Sequence, residues 1–98
     1  MEPIRANDRP RLAARARVQK DTVTGKPVLL YPEGVLILNP TGDAIVALCD
    51  GKKTFDQIVG ELATRYAMTV EQISSEVSSY LDRLRARNLV EMIATTLE

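Results

Sequence analysis

The sequence predicts an α+β domain with a winged-helix-like layout: a three-stranded antiparallel sheet followed by three helices, the last two forming a helix-turn-helix. Three observations predict it. Apolar residues recur with period two or in short runs up to residue 38, and with helical period after residue 40. Two capping boxes, Thr54-Phe55-Asp56-Gln57 and Thr69-Val70-Glu71-Gln72, mark helix starts. The connections between the expected strands are short, which favours a meander over a parallel sheet. With 98 residues, 45% of them hydrophobic, the chain can build one modest core. It has no Trp and a single Phe, so Leu, Val, Ile and Ala must fill that core.

The strands come first. From Arg11 to Gln19, Leu12, Ala14, Ala16 and Val18 alternate with Arg11, Ala13, Arg15 and Arg17, the period of a half-buried strand. Asp21-Thr22-Val23-Thr24-Gly25 reads as a turn. Val28 to Tyr31 is a continuous apolar run, Pro32-Glu33-Gly34 a tight connection, and Val35 to Leu38 a third strand. The expected spans are therefore 11–19, 27–31 and 35–38, with no strand after the helices. Residues 1–10 carry two prolines and few large apolar groups, and read as a mobile arm. The domain is expected over 11–93. Residues 94–98 read as a tail, with Leu97-Glu98 taken as a cloning remnant.

Helices are expected near 40–50, 55–66 and 70–88. Asn39-Pro40 supplies an N-cap and a proline at the first helical position. Ile45, Leu48 and Cys49 form a stripe that Gly51 ends. Phe55, Ile58, Val59, Leu62 and Tyr66 follow at helical spacing. The last helix carries Val70, Ile73, Val77, Tyr80, Leu81 and Leu84 on one side. Its acids, Glu71 and Glu76, lie early, and Arg83, Arg85 and Arg87 lie late, which complements the helix dipole.

Composition argues against most chemistry. Without histidine the chain lacks the commonest general base and the commonest zinc ligand. Its one cysteine, Cys49, sits on an apolar stripe and reads as a small core residue rather than a nucleophile. No phosphate-binding glycine motif is present. The expectation is a chain that is not an enzyme and holds no cofactor or metal. No apolar run is long enough to span a membrane, the start lacks an apolar signal region, and a lone cysteine suits a reducing cytoplasm. Net charge is zero but uneven: residues 1–31 hold seven bases and three acids, about +4, and residues 32–98 six bases and ten acids, about −4. A winged helix would meet DNA with the exposed start of its recognition helix. Here that stretch is Glu71, Gln72, Ser74, Ser75 and Glu76, which would repel phosphate. Arg11, Arg15 and Arg17 on the first strand could contact phosphates, and a solvated strand face explains them equally well.

The third strand is more informative. If Leu36 and Leu38 face the helices, Val35 and Ile37 point to the other side, where polar residues would ordinarily stand. Such a strand is either buried twice or waiting for a partner. As a sheet edge it would offer unpaired N–H and C=O groups to an extended peptide, with the third helix as the other wall. The candidate site is Val35, Leu36, Ile37 and Leu38 on the strand with Val77, Tyr80, Leu81, Leu84 and Arg85 on the helix. An open edge and a loosely attached first strand also favour a homodimer by strand pairing or swapping.

The run Leu29-Leu30-Tyr31-Pro32-Glu33-Gly34-Val35-Leu36-Ile37-Leu38-Asn39, then Ala44-Ile45 and Leu48-Cys49-Asp50-Gly51, resembles the PqqD family of pyrroloquinoline quinone (PQQ) biosynthesis. Thr54 to Ile58 and Leu84-Arg85-Ala86-Arg87-Asn88-Leu89-Val90 continue the likeness, which spans roughly residues 10–93. Asn39-Pro40 departs from the family's pattern, which often has acidic residues or Ser there. The resemblance implies a peptide chaperone that binds the ribosomally made precursor peptide PqqA and presents it to PqqE. PqqE is a radical S-adenosylmethionine (SAM) enzyme that joins a glutamate and a tyrosine side chain of the peptide. Such domains are called precursor-peptide recognition elements of ribosomally synthesised and post-translationally modified peptide (RiPP) pathways, and the peptide lies as an added strand between the third strand and third helix. The iron–sulfur cluster and S-adenosylmethionine would belong to PqqE. The alternatives are a winged-helix DNA-binding regulator and, third, a structural subunit of an assembly.

Overall fold

The computed structural model describes residues 2–94. The element order is β1 (Arg9–Leu12), β2 (Arg17–Lys20), β3 (Pro27–Tyr31), β4 (Gly34–Ile37), α1 (Pro40–Ala47), α2 (Phe55–Tyr66), α3 (Val70–Ala86) and β5 (Val90–Ile93). Strands β2, β3 and β4 form the expected antiparallel sheet, in that order, ahead of three helices. The fold is α+β.

Two features depart from the expected arrangement. The single strand over 11–19 is two strands. Ala16 N–H donates to the Ala13 carbonyl at 3.0 Å, a tight turn that carries the chain from β1 into β2. Ala-rich alternation is a weak strand signal, and a turn within it has no Gly or Pro to announce it. Moreover, a strand does follow the helices. β5 pairs antiparallel with β1, Leu12 opposite Val90 and Arg11 opposite Glu91, as a separate two-stranded sheet. The Arg11 guanidinium meets Glu91 Oε1 across the ladder. Both groups are half exposed, so the pair adds little stability.

The expected start of the domain at residue 11 falls inside β1. Upstream residues also touch the body: Phe55 N–H donates to the Asp8 carbonyl at 2.7 Å and Asp56 N–H to that of Ala6 at 3.1 Å. Pro10 is fully buried, and Ile4 packs on the core. The tail expected over 94–98 lies outside the described residues, apart from Ala94.

Each helix begins where its cap dictates. Asn39 Oδ1 accepts from Gly42 N–H at 2.6 Å. Both capping boxes are complete, with Thr54 and Gln57, then Thr69 and Gln72, bonding one another's backbone N–H groups. The ends of α2 and α3 are set by left-handed residues. At Asn88, φ is 58°, and Leu89 N–H donates to the Leu84 carbonyl while Asn88 N–H donates to that of Arg85. This Schellman closure stops α3 at Ala86, short of the expected 88, and buries Leu89 against Leu84. α2 ends the same way at Ala67, φ 53°.

Cys49-Asp50-Gly51 is a junction. The Cys49 carbonyl accepts from Leu12 N–H at 3.1 Å and Gly51 N–H donates to the Pro10 carbonyl at 2.9 Å, pinning β1 to the α1–α2 loop. Gly51 has φ 78°, and a Cβ there would press on the Arg11 side chain at 3.2 Å. The Asp50 carboxylate accepts the backbone N–H groups of Lys53 at 3.0 Å and Lys52 at 2.8 Å.

Two predictions follow from these ends and turns. An alanine at the left-handed position costs about 1 kcal/mol that glycine avoids. Ala67→Gly should therefore raise stability by about 0.5–1 kcal/mol, read as a higher urea midpoint, and an unchanged or lower midpoint would contradict it. The backbone bonds from Lys53 and Lys52 hold the Asp50 carboxyl down at about 2, against an ordinary 3.8. Its contribution is thus complete above the ordinary value and lost as pH falls toward 2. Asp50→Asn should flatten the fall in urea midpoint on going from about pH 5 to about pH 2.5.

Candidate functional site

β4 is the outermost strand of its sheet, and among the described residues no strand pairs with its far side. Its register with β3 fixes which groups are left over. Leu38 N–H donates to the Pro27 carbonyl at 3.0 Å, and the ladder continues with Leu36 opposite Leu29 and Gly34 opposite Tyr31. Antiparallel pairing alternates, so Leu36 and Leu38 turn their backbone groups toward β3 while Val35 and Ile37 turn theirs outward. The side chains of Val35 and Ile37 are 59% and 69% exposed. Leu38 is buried, and Leu36 packs on the core.

Beside this edge lies a cleft of about 460 Å³. Leu36, Ile37 and Leu38 form its strand wall and Asn39 and Pro40 continue it. Tyr80, Arg83, Leu84 and Arg87 form the helix wall, with Lys26 completing the rim. The helix wall is set by a close approach: a Cβ on Gly42 would fall 2.4 Å from the Tyr80 hydroxyl oxygen, so only a residue without a side chain lets the ring lie over α1. Burial pushes the Tyr80 hydroxyl above its ordinary pKa. The Arg83 guanidinium carbon stands 5.3 Å from the centre of that ring, a cation–π distance.

The structure thus brings together Leu36, Ile37, Leu38, Tyr80 and Leu84 of the expected site. Val35 shares the strand but not the cleft. Val77 and Leu81 are fully buried in the core, because the apolar stripe of α3 faces the other elements and only its margin reaches the groove. Arg85 is also elsewhere. Its side chain is only 16% exposed, donating to the Glu2 carbonyl at 2.6 Å and to Asp82 at 2.8 Å. Arg83, Arg87 and Lys26 take the place expected for it. The spacing Tyr80, Arg83, Leu84, Arg87 follows the rule for one helix face and would have found two of them.

Other chemistry finds little support. Burial pushes the Cys49 thiol up to about 12, and its Sγ lies 3.3 Å from the Ile45 carbonyl. Of the three arginines that could have contacted phosphates or simply faced solvent, Arg11 pairs with Glu91, Arg15 donates to the Arg87 and Asn88 carbonyls at the end of α3 and pairs with Glu33, and Arg17 stands exposed on β2. Glu71 and Gln72 stand exposed at the start of α3. Among the described residues no helix is long and apolar enough to cross a membrane.

Comparison with known proteins agrees with this geometry. Residues 27–90 match the family described as Coenzyme PQQ synthesis protein D (PqqD). The "PqqA binding protein" of Rhizobium meliloti is 31% identical over 83 residues, covering 85% of each chain. That of Azotobacter vinelandii is 33% identical over 92 residues, covering 94% of this chain and 99% of its own. The solution structure of the PqqD truncation of Methylobacterium extorquens PqqCD superposes with a TM-score of 0.77 at 31% identity, over 90% of this chain and 94% of its own. That truncation is described as a functional, stand-alone RiPP recognition element. An open edge strand, a cleft walled by the last helix beside it and this degree of likeness together place the chain in the PqqD family.

Proposed function

We propose that this chain is a non-catalytic peptide carrier of PQQ biosynthesis. It binds the precursor peptide PqqA as a strand added to β4, in the groove walled by α3, and presents it to the radical SAM enzyme PqqE in the cytoplasm. The observation that carries the reading is the free edge of β4. It leaves the N–H and C=O groups of Val35 and Ile37 unpaired beside an apolar cleft. Strand addition satisfies those groups, and the cleft receives alternate side chains of the guest. The names of the relatives support PqqA as that guest. Holding the peptide at the enzyme raises its effective concentration there without any chemistry in the carrier.

Proline tests the edge selectively. At position 37 it removes an N–H that points away from β3, so the sheet's own ladder survives, as prolines at strand edges do. Ile37→Pro should keep its circular dichroism spectrum and lose about tenfold or more in PqqA affinity by calorimetric titration, from one lost bond and a displaced register. Glu71→Gln, at the start of α3, should bind as wild type. Ser75 is a poorer control, because it lines a second cleft with Tyr80 and Arg83. If folded Ile37→Pro binds normally and Glu71→Gln does not, or if duplex DNA rather than PqqA is bound, the recognition-helix face is the site.

The same edge is open to a second copy of the chain, so self-pairing and peptide binding should compete. Sedimentation of concentrated protein should reveal a dimer that PqqA converts to a one-to-one complex. A mass that stays monomeric at every concentration would contradict this.

A further inference from the structure

The groove's rim has one sign of charge. Lys26, Arg83 and Arg87 line it, and no Asp or Glu does. Elsewhere five of the ten cations have an acidic partner: Arg11 with Glu91, Arg15 with Glu33, Lys53 with Asp50, Arg65 with Glu61 and Arg85 with Asp82. The three rim cations form no ion pair among the described residues. The chain as a whole is neutral, so an unmatched cluster is a local arrangement rather than a reflection of bulk charge. Arg83 is further held over the groove by the Tyr80 ring.

Resting on the reading of the groove as a peptide site, we propose that Arg83 and Arg87, with Lys26, read carboxylates on the bound strand, so that the peptide carries acidic side chains on the face turned toward α3. Arg83 and Arg87 are one helical turn apart, about 6 Å along the axis. Residues two apart on one face of an extended strand are separated by about 6.5–7 Å. Two carboxylates at alternate positions can therefore engage both arginines at once. Edge hydrogen bonds are blind to side-chain identity, and the apolar wall accepts any aliphatic group of suitable size. The rim is the part of the groove able to reject a neutral or basic peptide, since an unpaired cation there is left facing a strand that offers it nothing.

The test is calorimetric titration of PqqA, and of PqqA with its Asp and Glu changed to Asn and Gln, into wild type, Arg83→Gln/Arg87→Gln, Ile37→Pro and the charge-matched Arg17→Gln/Arg65→Gln. The rim residues are exposed, so their removal leaves the fold intact. The rim variant should bind PqqA about five- to tenfold more weakly at low salt, with a smaller difference at high salt. Neutralised PqqA should bind wild type with a similar loss and lose little more against the rim variant. Arg17→Gln/Arg65→Gln should bind as wild type. If Ile37→Pro abolishes binding while rim variant and neutralised peptide bind undiminished, the groove stands and the carboxylate reading falls. If Ile37→Pro binds normally, both fall. Equal losses in the rim and charge-matched variants would reduce the effect to net charge and overturn the assignment.

Discussion

The buried stripe of α3 is the contact on which the other elements settle. Ile73, Val77, Leu81 and Leu84 are each at most 1% exposed, and they share one buried cluster with residues of α2, Leu29 of β3 and Leu89. Burial of this kind contributes roughly 1.5–3 kcal/mol for each large side chain. In so small a domain no second layer replaces it. The orientation of α3 about its own axis is thereby fixed. Once that stripe faces the core, Tyr80, Arg83 and Arg87 have only one direction left, toward the outer edge of the sheet. The groove is a by-product of core packing rather than a separately built feature.

The edge it flanks is unusual in what protects it. Exposed edges are commonly blunted by charge, proline or bulges. β2, at the other margin, follows that practice, with Arg17 and Lys20 at its two ends and every residue exposed. β4 does not: its outward positions are Val35 and Ile37. One sheet thus has a guarded margin and an unguarded one, and the unguarded margin is the one that borders the cleft. Retaining an aggregation-prone edge is costly for a small domain unless a partner covers it.

Much of this was legible in the residues. Both capping boxes, the Asn39 cap and the two-faced apolar strand at 35–38 carry local chemical signals, and the structure realises each. What escaped depended on contacts remote in sequence. β5 is four residues long and becomes a strand because β1 lies beside it, across some 80 residues of chain. Asn88 gives a weaker stop signal than glycine, so α3 was expected to run on. In the site, Val77 and Leu81 share a periodicity with Tyr80 and Leu84, and no pattern within one helix separates its core stripe from its margin. Arg83 and Arg87 were read as partners of the helix dipole. That explanation remains true and concealed their second position on the rim.

Gly42 shows how the groove is tied to the rest of the fold. The Tyr80 ring can occupy its place only because α1 has no Cβ at the point of contact. Tyr80 in turn carries Arg83 at cation–π distance. A residue on one helix therefore positions an aromatic wall on another, and that wall orients a charge on the rim. The hierarchy runs from steric exclusion, through ring placement, to electrostatics, each step weaker and more adjustable than the one before. In the proposed reading, backbone pairing along β4 would supply affinity for any extended chain, and the wall would select size. Charge on the rim is the most readily altered layer, since Arg83 and Arg87 can change without disturbing buried packing. If the groove holds a peptide as proposed, a change of guest sequence would be accommodated most easily at the rim.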